Sequence, residues 1–191
     1  MSRVVLIVGM FRSGTSMVAE VVHRLGYAVA PVIPAPDPPS WRSDWEDPTL
    51  TIPLIMDERP SLEWLTSYVE MRRKASSVLG FGGKIAIKSP YLALIWPEMI
   101  GIASPAFVIK TFRQEEARKR SLAAHSALSE RDDSRISDAL EGVQADLEIH
   151  YDWAVEGPLR FSRTLAERLE VTDEQTIHAA AALVGRPTEY I

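Results

Sequence analysis

Apolar and polar residues change period along this chain in a regular way. Val4-Val5-Leu6-Ile7-Val8 is an unbroken β-branched and aliphatic run, the pattern of a strand buried on both faces. Further on the period becomes three to four: Met17, Val18, Val21, Val22 and Leu25 fall on one helical face, and Gly26 ends it. Ser61 caps a helix carrying Leu62, Leu65, Val69 and Leu79, which Gly80-Phe81-Gly82-Gly83 stops. Lys84 to Lys88 and Ala106 to Thr111 repeat the strand signature. Between them Leu92, Ile95, Trp96 and Met99 have helical spacing up to Ser104-Pro105.

The second half is mostly helical. Gln114 to about Leu128 places Ala117, Ser121, Ala124 and Leu128 on one inward stripe. Ile136, Leu140, Val143 and Leu147 repeat that spacing in a helix that Asp133 or Ser134 caps, and Glu148 to Trp153 reads as one more strand. Gly157-Pro158 starts a helix with Phe161, Leu165 and Leu169. Thr172 with Gln175 makes a capping box for a last helix, Ile177 to Val184, ended by Gly185 and Pro187. Strands alternating with helices predict a three-layer α/β/α fold with a parallel central sheet, formed as a single domain over residues 1–191. One stretch breaks the alternation. Five of the 13 prolines lie between Pro31 and Pro39, which predicts irregular chain from Ala30 to about Asp57, with Trp41, Trp45, Glu46 and Asp47 on it.

Composition narrows the class. The 191 residues are 46% hydrophobic, enough for one sizeable core. A net charge of −5 argues against duplex nucleic acid as the main partner, so any anion site must be concave and local. There is no cysteine, hence neither a disulfide framework nor a thiolate nucleophile, and a reducing compartment fits. The apolar run after Arg3 is broken at Gly9 and Arg12 and lacks a small-residue cleavage site, so it reads as a buried strand and not a signal peptide. No run approaches eighteen apolar residues; no membrane span and a cytoplasmic location are expected.

The candidate chemistry lies between the first strand and the first helix. In Gly9-Met10-Phe11-Arg12-Ser13-Gly14-Thr15-Ser16 the phosphate-loop pattern G-x-x-x-x-G-K-[ST] fits at Gly9, Gly14 and Ser16, but Thr15 stands in the lysine's place and Arg12 lies three positions earlier. Backbone N–H groups of residues 12–16, with the positive end of the helix, form a nest for an anion. The next strand tips carry Lys88 and Arg113 where a metal-holding acid would stand, which suits an anion bound without metal. In a parallel sheet the loops after Val8, Ile87 and Ile109 converge beyond the strands' carboxyl ends.

These residues resemble a known family. Phe11-Arg12-Ser13-Gly14-Thr15-Ser16 is similar to the 5′-phosphosulfate loop of sulfotransferases, which use 3′-phosphoadenosine 5′-phosphosulfate (PAPS), release PAP and share the P-loop nucleoside-kinase-like fold. Arg113, with Ser121 eight residues later, resembles the family's 3′-phosphate pair. Lys88-Ser89-Pro90 is similar to its Lys-[Ser/Thr]-Pro element, and Trp45-Glu46-Asp47 to the Trp-Glu-Asp segment of its bacterial members. The resemblance implies Arg12, Lys88 and Glu46 as the catalytic groups, with Glu46 as base. It implies Arg12, Ser13, Gly14, Thr15, Ser16, Arg113 and Ser121 as PAPS-binding residues. It implies no metal, and a small-molecule or carbohydrate acceptor.

The residues alone leave ordinary readings beside these. Ser121 also fits a helical serine bonded to a carbonyl one turn back, and Asp47 before a proline fits a turn or helix cap. Trp41 and Trp45 suit either an acceptor pocket or a loop anchor. His150-Tyr151-Asp152 resembles the family's structural Tyr-Glu-Asp strand. The family's glycine- and lysine-rich C-terminal clamp has no counterpart beyond Gly185-Arg186-Pro187. The alternatives are therefore a P-loop kinase using ATP and magnesium, or a nucleotide-binding module that holds PAP without catalysis.

Overall fold

A computed structural model of the chain describes residues 3–29, 46–123 and 130–184. Trp41, Trp45, Ala124, Leu128, Gly185, Arg186 and Pro187 lie outside them. The strands β1 (Val4–Gly9), β2 (Ala28–Val29), β3 (Ile85–Lys88), β4 (Ala106–Phe112) and β5 (Leu147–His150) form one parallel sheet in the order β2-β3-β1-β4-β5. This is the predicted three-layer α/β/α architecture. β1 is central because it is the most apolar segment: Val4 to Val8 are completely buried. Its side chains divide by parity. Val4, Leu6 and Val8 join one core with Leu65, Leu92, Met99 and Ile136; Val5 and Ile7 join the other with Val18, Phe161, Leu165 and Ile177.

The helices covering these faces are α1 (Thr15–Arg24), α2 (Pro48–Ile55), α3 (Leu62–Val78), α4 (Trp96–Ile102), α5 (Glu115–Ala123), α6 (Glu130–Glu141), α7 (Tyr151–Glu156), α8 (Pro158–Arg168) and α9 (Glu174–Ala181), with a 3₁₀ segment at Pro90–Ile95. Ser61 caps α3 as expected, accepting from the Trp64 amide at 3.1 Å. Among the described residues no helix is long and apolar enough to cross a membrane.

Several expectations are corrected. The stretch up to Asp57 is not wholly irregular, because α2 forms within it: Asp47 caps it by accepting from the Thr49 amide at 3.0 Å, and Pro48 supplies the φ of a first helical residue. Pro53 is tolerated inside because the helix is short and loses only one internal hydrogen bond to it. The helix α6 starts before Asp133 and Ser134, so neither caps it, and Asp133 instead binds Arg118 of α5 at 2.8 Å. Arg118 is the buried residue of α5, where an apolar stripe was expected; Ala117 and Ser121 are half-buried. Leu147 leaves the helix and opens β5, since Asp146 exchanges hydrogen bonds with both backbone groups of Val108. β5 then ends at His150, and Tyr151 to Trp153 belong to α7.

The last helix is capped by Asp173, not by Thr172: its carboxylate accepts from the Thr176 amide at 2.8 Å. Hydrogen bonds from Thr176 hold that carboxyl below its usual range. A depressed native pKa contributes stability above the unfolded-state value, and the contribution is lost as pH falls through the folded one. Asp173→Ala is therefore expected to lower the melting temperature at neutral pH by more than Thr172→Ala does. The difference should shrink in thermal scans at pH values below the usual aspartate range, near 4.

Candidate active site

The parallel register brings three strand ends side by side. Ile7 pairs with Lys88 on one flank of β1, and Gly9 pairs with Thr111 on the other. The loop after β1 thus leaves the sheet between the loop that follows Lys88 and the one that carries Arg113. Its backbone has the alternating form of an anion nest: Arg12 is left-handed at φ 63°, and Gly14 at φ 99°. The helix α1 begins at Thr15 with no side-chain cap and no acid in its first turn, whereas Asp47, Ser61 and Asp173 cap α2, α3 and α9. Its first amide groups point toward the loop, with the helix's positive end behind them.

Two glycines set how tightly this loop packs. A Cβ on Gly9 would collide with the Thr111 hydroxyl and lie 2.8 Å from the Thr111 carbonyl oxygen; one on Gly14 would lie 2.6 Å from the Tyr151 ring. The Ser13 and Thr111 hydroxyl oxygens are 2.6 Å apart, and Thr111 reaches the Val8 carbonyl at 3.4 Å. Ser13, predicted as a ligand contact, is buried and its hydroxyl braces the loop against β4. Thr15 is buried too, and Ser16 is half-buried in the first turn of α1.

On the β4 side, the predicted pair and Arg12 meet. Arg12 donates through Nε to the Ser121 hydroxyl at 3.0 Å, so Ser121 faces the loop across α5. Arg113 brings Nη1 within 3.5 Å of the Arg12 carbonyl, lays its guanidinium 4.4 Å from the centre of the Tyr151 ring, and leaves a buried Nε without a partner. Arginine stacked on an aromatic face is held in place without consuming its donors. Tyr151 is the residue that sequence reasoning missed. It was assigned to a structural strand, but its ring fills the space between Gly14 and Arg113. The available signal was an aromatic directly after a strand that pairs with β4.

On the β3 side, Lys88 is only 3% exposed and donates to Glu46 Oε1 at 2.7 Å. The two groups expected to act together are in contact, with Glu46 on the more open side at 22% exposure. Ser89 caps the following 3₁₀ segment and accepts from Thr51 of α2 at 3.3 Å. Phe11 meets Tyr91 edge to face at 5.5 Å, joining the loop to this element. Burial pushes the Tyr91 phenol up to about 12, with the nearby Asp132 adding to the shift, so it is a neutral donor.

The arrangement is that of a parallel α/β protein with a glycine loop after its central strand, Arg12 and Arg113 beside that loop, and the Lys88–Glu46 pair at the end of the neighbouring strand. The fold is sulfotransferase-like. Sulfotransferase STF9 from Mycobacterium avium superposes over 98% of this chain and 69% of its own, with a TM-score of 0.59 at 14% identity. Sulfotransferase STF1 from Mycobacterium tuberculosis H37Rv matches over 95% and 71%, with a TM-score of 0.48 at 13% identity. No protein-family model and no curated protein matches the sequence.

Gly14→Ala is expected to destabilise the protein by about 1–3 kcal/mol through its left-handed backbone alone, with a further loss from the clash with Tyr151. In a double-mutant cycle read by urea denaturation, Tyr151→Ala should relieve the clash and leave the backbone part. Purely additive effects would mean that the ring does not limit the space at Gly14.

Proposed function

We propose that this chain is a PAPS-dependent sulfotransferase that transfers a sulfuryl group to a hydroxyl or amine of a small-molecule or carbohydrate acceptor. The observation that carries the reading is the meeting of Arg12, Ser121 and Arg113 beside the uncapped start of α1, with the Lys88–Glu46 pair across the loop. The residues fit the donor. Backbone N–H groups of residues 12–16 and the end of α1 suit its 5′-phosphosulfate. The unpartnered Nε of Arg113 and the hydroxyl of Ser121 suit its 3′-phosphate. PAPS supplies an activated sulfuryl group on a phosphate leaving group. In the transfer an acceptor oxygen or nitrogen bonds to sulfur, the bond from sulfur to the 5′-phosphate oxygen breaks, and PAP departs.

The chain's own groups divide that work. Glu46 accepts the proton that the acceptor loses, and Lys88 and Arg12 offset negative charge that builds on the migrating group and the leaving oxygen. Glu46 faces Lys88 directly, so base and cation share one edge of the site. The loop has no lysine to reach a γ-phosphate, and basic side chains occupy the strand tips. Both features favour this donor over ATP with magnesium.

Melting temperatures measured with PAP, with PAPS, and with ATP plus magnesium test the reading. PAP and PAPS should stabilise the protein, by about 2.7 kcal/mol at a hundredfold excess over Kd. Stabilisation by ATP with magnesium and not by PAP would instead make the chain a kinase. Arg113→Ala should abolish most of the PAP effect; an unchanged shift would remove Arg113 from the nucleotide site. Glu46→Gln should keep PAP affinity and lower PAPS turnover by on the order of 10²- to 10⁴-fold. Wild-type protein that binds PAP without turning over PAPS would be the non-catalytic binding module.

A further inference from the structure

Behind Glu46 lies a buried polar cluster that the proposed chemistry does not use. The Asp47 carboxylate accepts from the Thr49 amide through Oδ1 at 3.0 Å and from the Tyr68 hydroxyl through Oδ2 at 2.9 Å, and Arg72 Nη1 lies 3.5 Å from Oδ2. Tyr68 and Arg72 are four residues apart on α3, hence on one face, and both are nearly fully buried. Burial holds the Tyr68 phenol well above its ordinary range, with the charge of Asp47 adding to it, so it donates at any working pH. Tyr68 is held flat against Trp64, with ring centres 5.4 Å apart.

Stability alone is a poor account of Arg72. Its Nε and Nη2 are buried with no partner, and a buried guanidinium that uses one of its donors costs more desolvation than an apolar side chain of its size. What the cluster does fix is direction. Asp47 is bonded through its peptide to Glu46 and caps α2; Thr51 of α2 donates to Ser89, the neighbour of Lys88. Glu46 and Lys88 are therefore joined twice, by their ion pair and through the start of α2, and Asp47 is the corner of that ring.

We infer that Tyr68 and Arg72 are positioning residues for Glu46: they hold the Asp47 carboxylate, and through it the turn that presents Glu46 to Lys88. Their catalytic consequence rests on the reading of Glu46 as the base, but the geometric claim does not. Because Nε and Nη2 make no hydrogen bond, a lysine that keeps the charge toward Asp47 should serve in place of Arg72.

The test reads the ¹H–¹⁵N correlation of the Lys88 ammonium, assigned with Lys88→Met and recorded without nucleotide. Arg72→Met and Tyr68→Phe should shift or broaden it, and Arg72→Lys should restore it. With PAPS and water as acceptor, Arg72→Met should slow release of sulfate by on the order of 10- to 100-fold. PAP affinity should stay within about twofold, since Tyr68 and Arg72 act on Asp47 and through it on the Glu46 side of the site. A folded Arg72→Met protein with an unmoved Lys88 signal and unchanged sulfate release overturns the inference. Should that variant not fold, an unmoved signal in the milder Tyr68→Phe overturns it equally. Failure of wild-type protein to bind PAP counts against the proposed donor alone, because the ammonium signal is read without it.

Discussion

Gly9 passes Thr111 so closely that no side chain fits between them, and this approach fixes where the loop that carries Arg12 leaves the sheet. The approach is itself dictated by the sheet. Val4 to Val8 are buried on both faces, and a slip of one residue would exchange the two cores. Register then puts Gly9 opposite Thr111, and the Ser13–Thr111 hydroxyl contact ties the returning loop to the same point. With both ends pinned, Arg12 between them and Gly14 just beyond take left-handed conformations, and α1 starts with its amides pointing toward the loop. The nest is a product of strand packing before it is a product of any charge.

The charges follow from that frame. The chain is acidic overall, yet Arg12, Lys88 and Arg113 gather around one loop. Three cations near a helix's positive end repel one another, and each is held by a separate device: a hydroxyl for Arg12, a carboxylate for Lys88, an aromatic face for Arg113. Of these three devices the carboxylate is the one that cancels charge. The stacked Arg113 keeps a buried Nε that no acceptor satisfies, so an anion that reached it would gain a hydrogen bond without breaking one at that atom. The Lys88–Glu46 pair works in the opposite sense, since an anion that attracts Lys88 loosens its hold on Glu46.

Much of this was legible in the sequence because it rests on short-range pattern. The unbroken run of β1, the strand ends at Lys88 and Thr111, the glycine loop and the Arg113–Ser121 spacing each need only a few neighbouring residues to be read. The misreadings lie where a local signal competed with a tertiary one. The prolines between Pro31 and Pro39 suggested irregular chain as far as about Asp57, whereas the Asp47-Pro48 cap and core contacts of Leu50 and Leu54 made α2. Leu147 continued a helical period but was taken into the sheet by the bonds that Asp146 makes to β4. Tyr68 and Arg72 were invisible for a different reason. Their importance is in what they touch across the fold, and no spacing along the chain encodes it.

Fold likeness at this level of identity narrows the chemistry only so far, because one α/β scaffold with a glycine loop hosts many reactions. What separates them is the sign of charge at the strand tips. An acid after β3 or β4 would suit a divalent cation that screens a triphosphate; here the basic residues Lys88 and Arg113 stand at those tips. Thr15 is consistent with that division. A lysine there would add a second cation to the loop that already carries Arg12, next to a helix end that is itself positive. In this loop Arg12 carries the charge and Thr15 none, and Ser121 on α5 holds the Arg12 guanidinium from across the fold.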